Sequence, residues 1–371
     1  MKTNIEISVV IPCLNESETL QICIDKIKKK FLEKSFKGEI IVSDNGSTDG
    51  SLEIAKKNNV RIINVTEKGY GNAVTSGIKN AHGKYIFIAD ADNSYDFNEI
   101  ENFYNEIKKG FDIVQGCRLS SGGGTIAQNA MPLSHKYIGN PFFSFMSKLI
   151  YKLPFKDVYC GMKMIKNDFY KKINFFSPGM VWCLEILIKS KINNAKSSEL
   201  PITLHKDGRI KGKSHLKTLS DGLKTLKFLI VCSPKWIYII PSIIFIFLPI
   251  YLSVLNFQNF YEFINNNLHE LMLSFFLGTQ LFMLGLYSTL RSETLGMIKI
   301  GKLNTFFKYF SLKISLSLCF ILIFLISYLY ISNHLILFEN FNKKIFFIFS
   351  LLILINIIIN SFFISLLRIN K

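Results

Sequence analysis

Four stretches of this chain contain no aspartate, glutamate, lysine or arginine: residues 236–255, 271–290, 314–338 and 345–367. Each is long enough to cross a hydrocarbon core of about 30 Å as a helix. Four such runs, with no soluble partner of matching size, argue against buried core helices of a water-soluble protein. The seven cysteines form no CxxC pair and no ladder with metal-ligand spacing. Reduced, buried thiols of a cytosolic domain are therefore expected. No apolar segment with a small-residue cleavage site opens the chain, which speaks against a secretory signal.

The charges that are present sit mostly in the first two thirds. Residues 1–235 carry 35 Lys and Arg against 23 Asp and Glu, and residues 236–371 carry 9 against 4. This predicts a cytosolic domain over 1–216, an amphipathic juxtamembrane helix over 217–235 and an all-α transmembrane region over 236–371. In the middle helix Leu219, Leu223, Leu226 and Ile230 share one face, with Lys217, Lys224 and Lys227 elsewhere. Arg291, Lys299, Lys302, Lys308 and Lys313 lie between the second and third spans, whereas Glu262 and Glu270 lie between the first and second. Cations are retained on the cytoplasmic side, so the first domain, the middle loop and the C-terminus read as cytosolic, with Lys343 and Lys344 as the exception. The net charge of +17 invites a nucleic-acid reading. The clustering of cations beside apolar segments counts against one.

The first domain alternates short β-branched runs with helical stretches. Strands are expected over 5–11, 39–43, 61–65 and 85–89, and helices over 17–30, 50–58, 72–81 and 97–109. Crossovers of this length imply an α/β fold with a mostly parallel, Rossmann-like sheet covered on both faces. In such sheets ligands bind beyond the carboxyl ends of the strands. Four polar, glycine-rich clusters fall there: Pro12–Glu16 with Asn15, Asp44–Gly50, Lys68–Asn72 with Gly71, and Asp90–Ser94. Together they suggest a nucleotide site.

Two carboxylates one residue apart, Asp90 and Asp92, can lie beside one hard divalent cation that also takes diphosphate oxygens. Asp44 can accept from a base or ribose, and Gly46 permits close backbone approach. Lys68–Asn72 opens a helix whose first amides can face an anion.

The motifs VVIPCLNE (9–16), DNGSTDGS (44–51), KGYGNA (68–73) and DADNSYD (90–96), in this order, resemble the family 2 glycosyltransferases of the GT-A fold. They are most similar to the branch of dolichyl-phosphate mannose synthases and bacterial polyprenyl-phosphate sugar transferases. The likeness runs over about residues 5–233 and extends to QGCR (115–118), MPLSHKYIGNP (131–141) and DVYCGMK (157–163).

That resemblance implies an inverting, metal-dependent hexosyltransferase that moves sugar from a UDP- or GDP-linked donor to a polyprenyl phosphate at the cytoplasmic membrane face. Its cation, Mg2+ or Mn2+, would be held by Asp90, Asp92 and Ser94. Donor contacts would come from Pro12, Asn15, Glu16, Asp44, Lys68, Gly71, Asn72, Asp90, Arg209 and Lys213. Arg118, Lys136 and Asn140 would hold the acceptor phosphate, and Asp92, Asp157 and Arg118 form the expected catalytic group. Lys136 and Asn140 share one face if that segment is helical. Asp157 is open to a base role, although a phosphate oxygen ionised at pH 7 needs little proton removal. Glu185 is read as either retained for the site or structural. The alternatives are a processive or other membrane glycosyltransferase of envelope synthesis and an inactive glycan-assembly scaffold. The first lacks its QxxRW motif here, and the intact Asp90/Asp92 pair argues against the second. A homo-oligomer is compatible with the pattern.

Overall fold

A computed structural model describes residues 5–210, 218–299, 312–331 and 340–369. The chain divides into two compact units, Met1–Phe228 and Leu229–Lys371.

The first unit is built as the alternation predicts. β1 (Ile7–Cys13) is followed by α1 (Leu20–Glu33), β2 (Gly38–Asp44) by α2 (Ser51–Lys57), and β3 (Arg61–Asn64) by α3 (Tyr70–Lys79). β4 (Tyr85–Ile88) leads through a short turn to α4 (Ile100–Lys108), and β5 (Ile113–Cys117) and the short β6 (Thr125–Ile126) come next. A five-residue π turn, His135–Gly139, runs into α5 (Asn140–Tyr151). β7 (Lys163–Lys166), α6 (Asn167–Tyr170), α7 (Trp182–Ile192), β8 (Ser197–Pro201), β9 (Thr203–Leu204) and α8 (Thr218–Cys232) complete the order. The seven-stranded sheet runs β3-β2-β1-β4-β7-β5-β8. Every residue of β1 and β4 is buried, as expected of strands covered on both faces.

One strand departs from the parallel pattern. β7 is antiparallel to both its neighbours, pairing Lys163 with Ile88 of β4 and with Gln115 of β5. A strand that runs backwards puts its start where the others end. The loop before β7, carrying Asp157 and Gly161, thus joins the rim on which β1, β2, β4 and β5 finish.

In the second unit, α9 (Ile240–Leu255) extends a π turn at Lys235–Ile239, and α10 covers Phe260–Thr294. α10 begins well before the expected position 271 and bends at Asn267, whose φ and ψ of −115° and 15° leave the helical region. α11 (Leu312–Ile331) and α12 (Asn340–Ile369) follow. Among the described residues two helices, Lys235–Leu255 and Phe257–Thr294, are long and apolar enough to cross a membrane. Shorter apolar stretches lie at Cys319–Tyr328 and Ile345–Ser361. Lys302 and Lys308 of the expected cytosolic loop lie outside the described residues. All seven cysteines are buried and unpaired.

Candidate functional site

The loops after β1 and β2 are stitched to each other. Asn15 sits at φ +56°, its side-chain oxygen accepts from the Thr48 amide at 2.8 Å, and its own amide donates to Ser47 Oγ at 2.9 Å. Asp49 accepts from the Ser17 and Ser51 amides. Burial opposes its charge, but these hydrogen bonds win and hold the carboxyl down at about 2. Asp44 is buried, and its carboxylate caps the Gly46 and Ser47 amides at 2.9–3.2 Å. Gly46 has φ +94°, a left-handed backbone conformation that favours glycine. Lys68 donates to the Asn45 carbonyl at 2.6 Å. Pro12 is buried within β1, paired with Ser43.

The start of α3 is covered rather than turned toward an anion. The Asn72 amide donates to the Pro178 carbonyl at 3.1 Å, and a Cβ on Gly71 would meet the Ser177 carbonyl at 2.2 Å. The segment responsible is fixed from below by Glu185, whose carboxylate accepts from the Phe176 and Ser177 amides and pairs with Lys189 at 2.6 Å. Both side chains of that pair are buried, so Glu185 acts structurally here.

Asp90 and Asp92 follow β4. Asp92 Oδ1 accepts from the Ser94 amide at 3.0 Å and from its hydroxyl at 2.6 Å, so Ser94 aims Asp92. Asp90 Oδ1 is buried with no hydrogen-bond partner among the described residues. Burial and the neighbouring charge of Asp92 push the Asp90 carboxyl up to about 7. An orphaned buried carboxylate oxygen beside a second carboxylate fits a divalent cation. No group of three or more His, Cys, Asp or Glu side chains among the described residues converges on one point. A cation there would draw its remaining ligands from substrate and water, as Mg2+ commonly does.

Arg209 completes this side. Its Nε donates to Glu16 Oε2 at 2.8 Å and its Nη2 to Glu16 Oε1, while Nη1 donates to Asp207. Nη2 also lies 3.7 Å from Asp92 Oδ2. Burial works against the guanidinium charge, but Glu16, Asp92 and Asp207 together hold it firmly protonated. Lys213 lies outside the described residues.

The opposite wall is organised by a different arginine. Arg118, just past β5, donates from Nε to Asp157 Oδ2 at 2.7 Å and from Nη2 to Oδ1 at 2.9 Å. Its backbone amide also donates to Oδ2 at 3.0 Å. Asp157 is fully buried, and both its oxygens are occupied. Burial alone would raise its carboxyl, but the bidentate guanidinium outweighs that and holds it below the usual range. A base role for Asp157 is thus replaced by one of holding Arg118. Glu199 on β8 fixes the loop in turn, accepting from the Lys156 and Asp157 amides at 2.9–3.1 Å. Nothing in the sequence pointed to it.

A cavity of about 390 Å³ joins the two walls. Asp90, Asp92, Ser94, Arg118 and Asn140 line it, as do His135, Asp207 and Asp221, which sequence reasoning did not select. Lys136 is not among its lining residues. Its ammonium sits 5.3 Å from the Tyr137 ring centroid. Gly161 closes the floor, and a Cβ there would lie 2.8 Å from Asp90 Oδ2.

A sheet of this order with a carboxylate pair past β4 defines a GT-A-like domain. Residues 8–173 match the family model described as Glycosyl transferase family 2. A relative is the low-salt glycan biosynthesis hexosyltransferase Agl6 of Haloferax volcanii, 31% identical over 237 residues. The match covers 64% of this chain but only 56% of that protein. An uncharacterized glycosyltransferase of Mycobacterium tuberculosis is 25% identical over 197 residues, covering 53% of this chain and 84% of its own. Among solved structures, glucosyl-3-phosphoglycerate synthase from M. tuberculosis in complex with Mn2+, UDP and glucosyl-3-phosphoglycerate is 17% identical. It covers 62% of this chain and 80% of that one, with a TM-score of 0.47.

Proposed function

We propose that this chain is a membrane-bound hexosyltransferase that takes sugar from a nucleotide-sugar donor and places it on a polyprenyl phosphate at the cytoplasmic face. The observation that carries this reading is a cavity lined by Asp90 and Asp92 on one side and by Arg118 and Asn140 on the other. One wall suits a nucleoside diphosphate with its cation, and the other suits a second phosphate.

On the donor side Asp90 and Asp92 would hold the cation, Mg2+ or Mn2+, with Ser94 orienting Asp92. That cation would neutralise charge on the departing diphosphate. Arg209 exchanges part of its carboxylate shell for a diphosphate oxygen, which its planar fork matches well. Pro12, Asn15, Glu16, Asp44, Lys68, Gly71 and Asn72 shape the nucleotide side, largely by holding the loops that meet there, and Lys213 assists Arg209.

On the acceptor side Asp157 spends its charge on Arg118 and so presents a fixed guanidinium edge. Among the described residues Arg118 Nη1 makes no hydrogen bond, so it remains available to a phosphate. Asn140 adds a side-chain donor, and Lys136 reaches the same phosphate from the rim. The acceptor oxygen is already ionised at pH 7, so attack on the anomeric carbon opposite the leaving diphosphate needs no base. Positioning and charge neutralisation do most of the catalysis. The four apolar segments of the second unit serve as membrane spans, which fits an acceptor that lives in a bilayer.

The test is transfer of labelled sugar from a panel of UDP- and GDP-hexoses to undecaprenyl phosphate by the purified full chain, with Mg2+ or Mn2+ or with excess chelator. Cation-dependent labelling of the lipid supports the reading. Labelling unaffected by chelator removes the cation, and labelling of water-soluble phosphates alone removes the lipid acceptor.

A further inference from the structure

The helix that carries Asn140 into the cavity is built inside out. On α5 the small polar residues Ser144 and Ser147 face the protein, Ser147 being 0% exposed, while Phe145 is 62% exposed. Phe142, Phe145 and Leu149 recur at i, i+3 and i+7 and share one outward face, and Leu133 and Ile138 from the preceding segment are exposed as well. The inward serines are satisfied: Ser147 Oγ donates to the Phe143 carbonyl at 2.7 Å, and Ser144 Oγ accepts from the Val158 amide at 3.3 Å. This reverses the arrangement that folding in water favours, since a surface helix normally turns its apolar stripe to the core. So large an apolar face marks a surface covered by something apolar.

We propose that the outward face of α5 is a bilayer-docking surface of the glycosyltransferase domain itself, seated in the headgroup and upper acyl region of an anionic membrane. Three observations select a bilayer as the occupant. Lys136 and Lys152 bracket the stripe and Lys148 lies within its span, the pattern of an in-plane helix on anionic lipid. α8 repeats it, with Leu219, Leu223 and Leu226 exposed alongside exposed Lys224 and Lys227. Both helices also line the one cavity, α5 through Asn140 and Phe143 and α8 through Asp221 and Gly222, so two apolar helix faces flank its walls. The same chain carries helices apolar enough to cross a membrane. Docking on α5 would bring the cavity to the lipid surface without any contact to those helices being required. It depends on the apolar face and not on the identity of the acceptor.

The test uses the full chain in vesicles of phosphatidylethanolamine and phosphatidylglycerol, with a bimane fluorophore on Phe145→Cys or, as a control, on the exposed Lys108→Cys of α4. Native thiols are buried, and unsubstituted protein carried through the same labelling gives the background. Lipids brominated along their acyl chains should quench the label at 145 at least twofold more than the label at 108. Equal quenching at both positions overturns the proposal. So does crosslinking between copies through position 145 that persists on dilution, which reassigns the face to a protein interface. The variant Phe142→Ser/Phe145→Ser/Leu149→Ser should keep its thermal midpoint in detergent. A fall as large as that of a core substitution shows instead that the face packs inside the protein. None of these readouts requires catalysis, so failure of the proposed activity would leave the docking result standing.

Discussion

Arg118 and Arg209 bring the same guanidinium to the candidate site and meet opposite surroundings. Arg118 is matched one to one: Asp157 takes two of its side-chain N–H groups and its backbone amide, and Glu199 holds the loop beneath. Arg209 is shared among Glu16, Asp92 and Asp207 on a loop near the donor carboxylates. Among the described residues it meets three carboxylates where Arg118 meets one, with the Asp90 carboxyl close by. A bidentate buried pair is a framework, whereas a guanidinium shared among several carboxylates can exchange one of them for another anion. The two arginines thus separate a wall that must not move from one built to exchange partners.

The sharpest way to break this contrast is to remove donor-side charge. Asp92→Asn should lower sugar transfer by about a hundredfold to a thousandfold, the scale of losing a preorganised electrostatic contact, with the thermal midpoint nearly unchanged. Transfer at the wild-type rate would end the contrast at once.

Asp157→Asn should do the reverse and act first on stability. It leaves a buried guanidinium without its counter-charge, which costs about 3–5 kcal/mol. The midpoint followed through buried Trp182 should drop by roughly 10 °C. The pH dependence has a definite sign. Because the folded Asp157 carboxyl lies below its unfolded value, its contribution is present above the ordinary carboxylate range and lost as pH falls through the depressed folded value. The acid side of the melting curve should therefore flatten in Asp157→Asn, and an unchanged acid limb would sink the assignment.

Glu199→Gln tests the support one step further back. Its amide keeps one acceptor but loses the charge on the Lys156 and Asp157 amides, for about 1–3 kcal/mol. The midpoint should shift the same way as in Asp157→Asn and by less. A larger shift would make Glu199 the anchor and Asp157 the dependent partner.

Smallest in stability terms is Arg209→Lys. Lysine is a point charge without the planar fork, so the KM for donor should rise about tenfold while the midpoint stays within a degree or so. A marked loss of stability would show that Arg209 belongs to the framework after all.

Much of the donor side was legible from local pattern. The strands β1 to β4 and the polar clusters at their ends follow from runs of β-branched residues broken by glycine, proline and asparagine. Ser94 and Asp92 are near neighbours whose interaction needs no tertiary help. The acceptor side was less so: Arg118 and Asp157 were selected separately, and Glu199 carried no signal at all. His135 lies within the MPLSHKYIGNP motif and Asp221 within the amphipathic helix, yet neither side chain was singled out before the fold brought both to the cavity. Lys136 was placed with Asn140 by helical spacing, and of the two Asn140 lines the cavity.

By itself the sequence determined the alternation of strand and helix, the carboxylate pair past the fourth strand and the charge-free runs of the second unit. Each of these is a property of residues a few positions apart. Only the tertiary structure decided that β7 runs backwards, and with it that the loop of Asp157 reaches the rim where Arg118 waits 39 positions earlier. Strand direction is set by which edges and layers remain to be covered once the rest of the sheet has formed, and no local period encodes that.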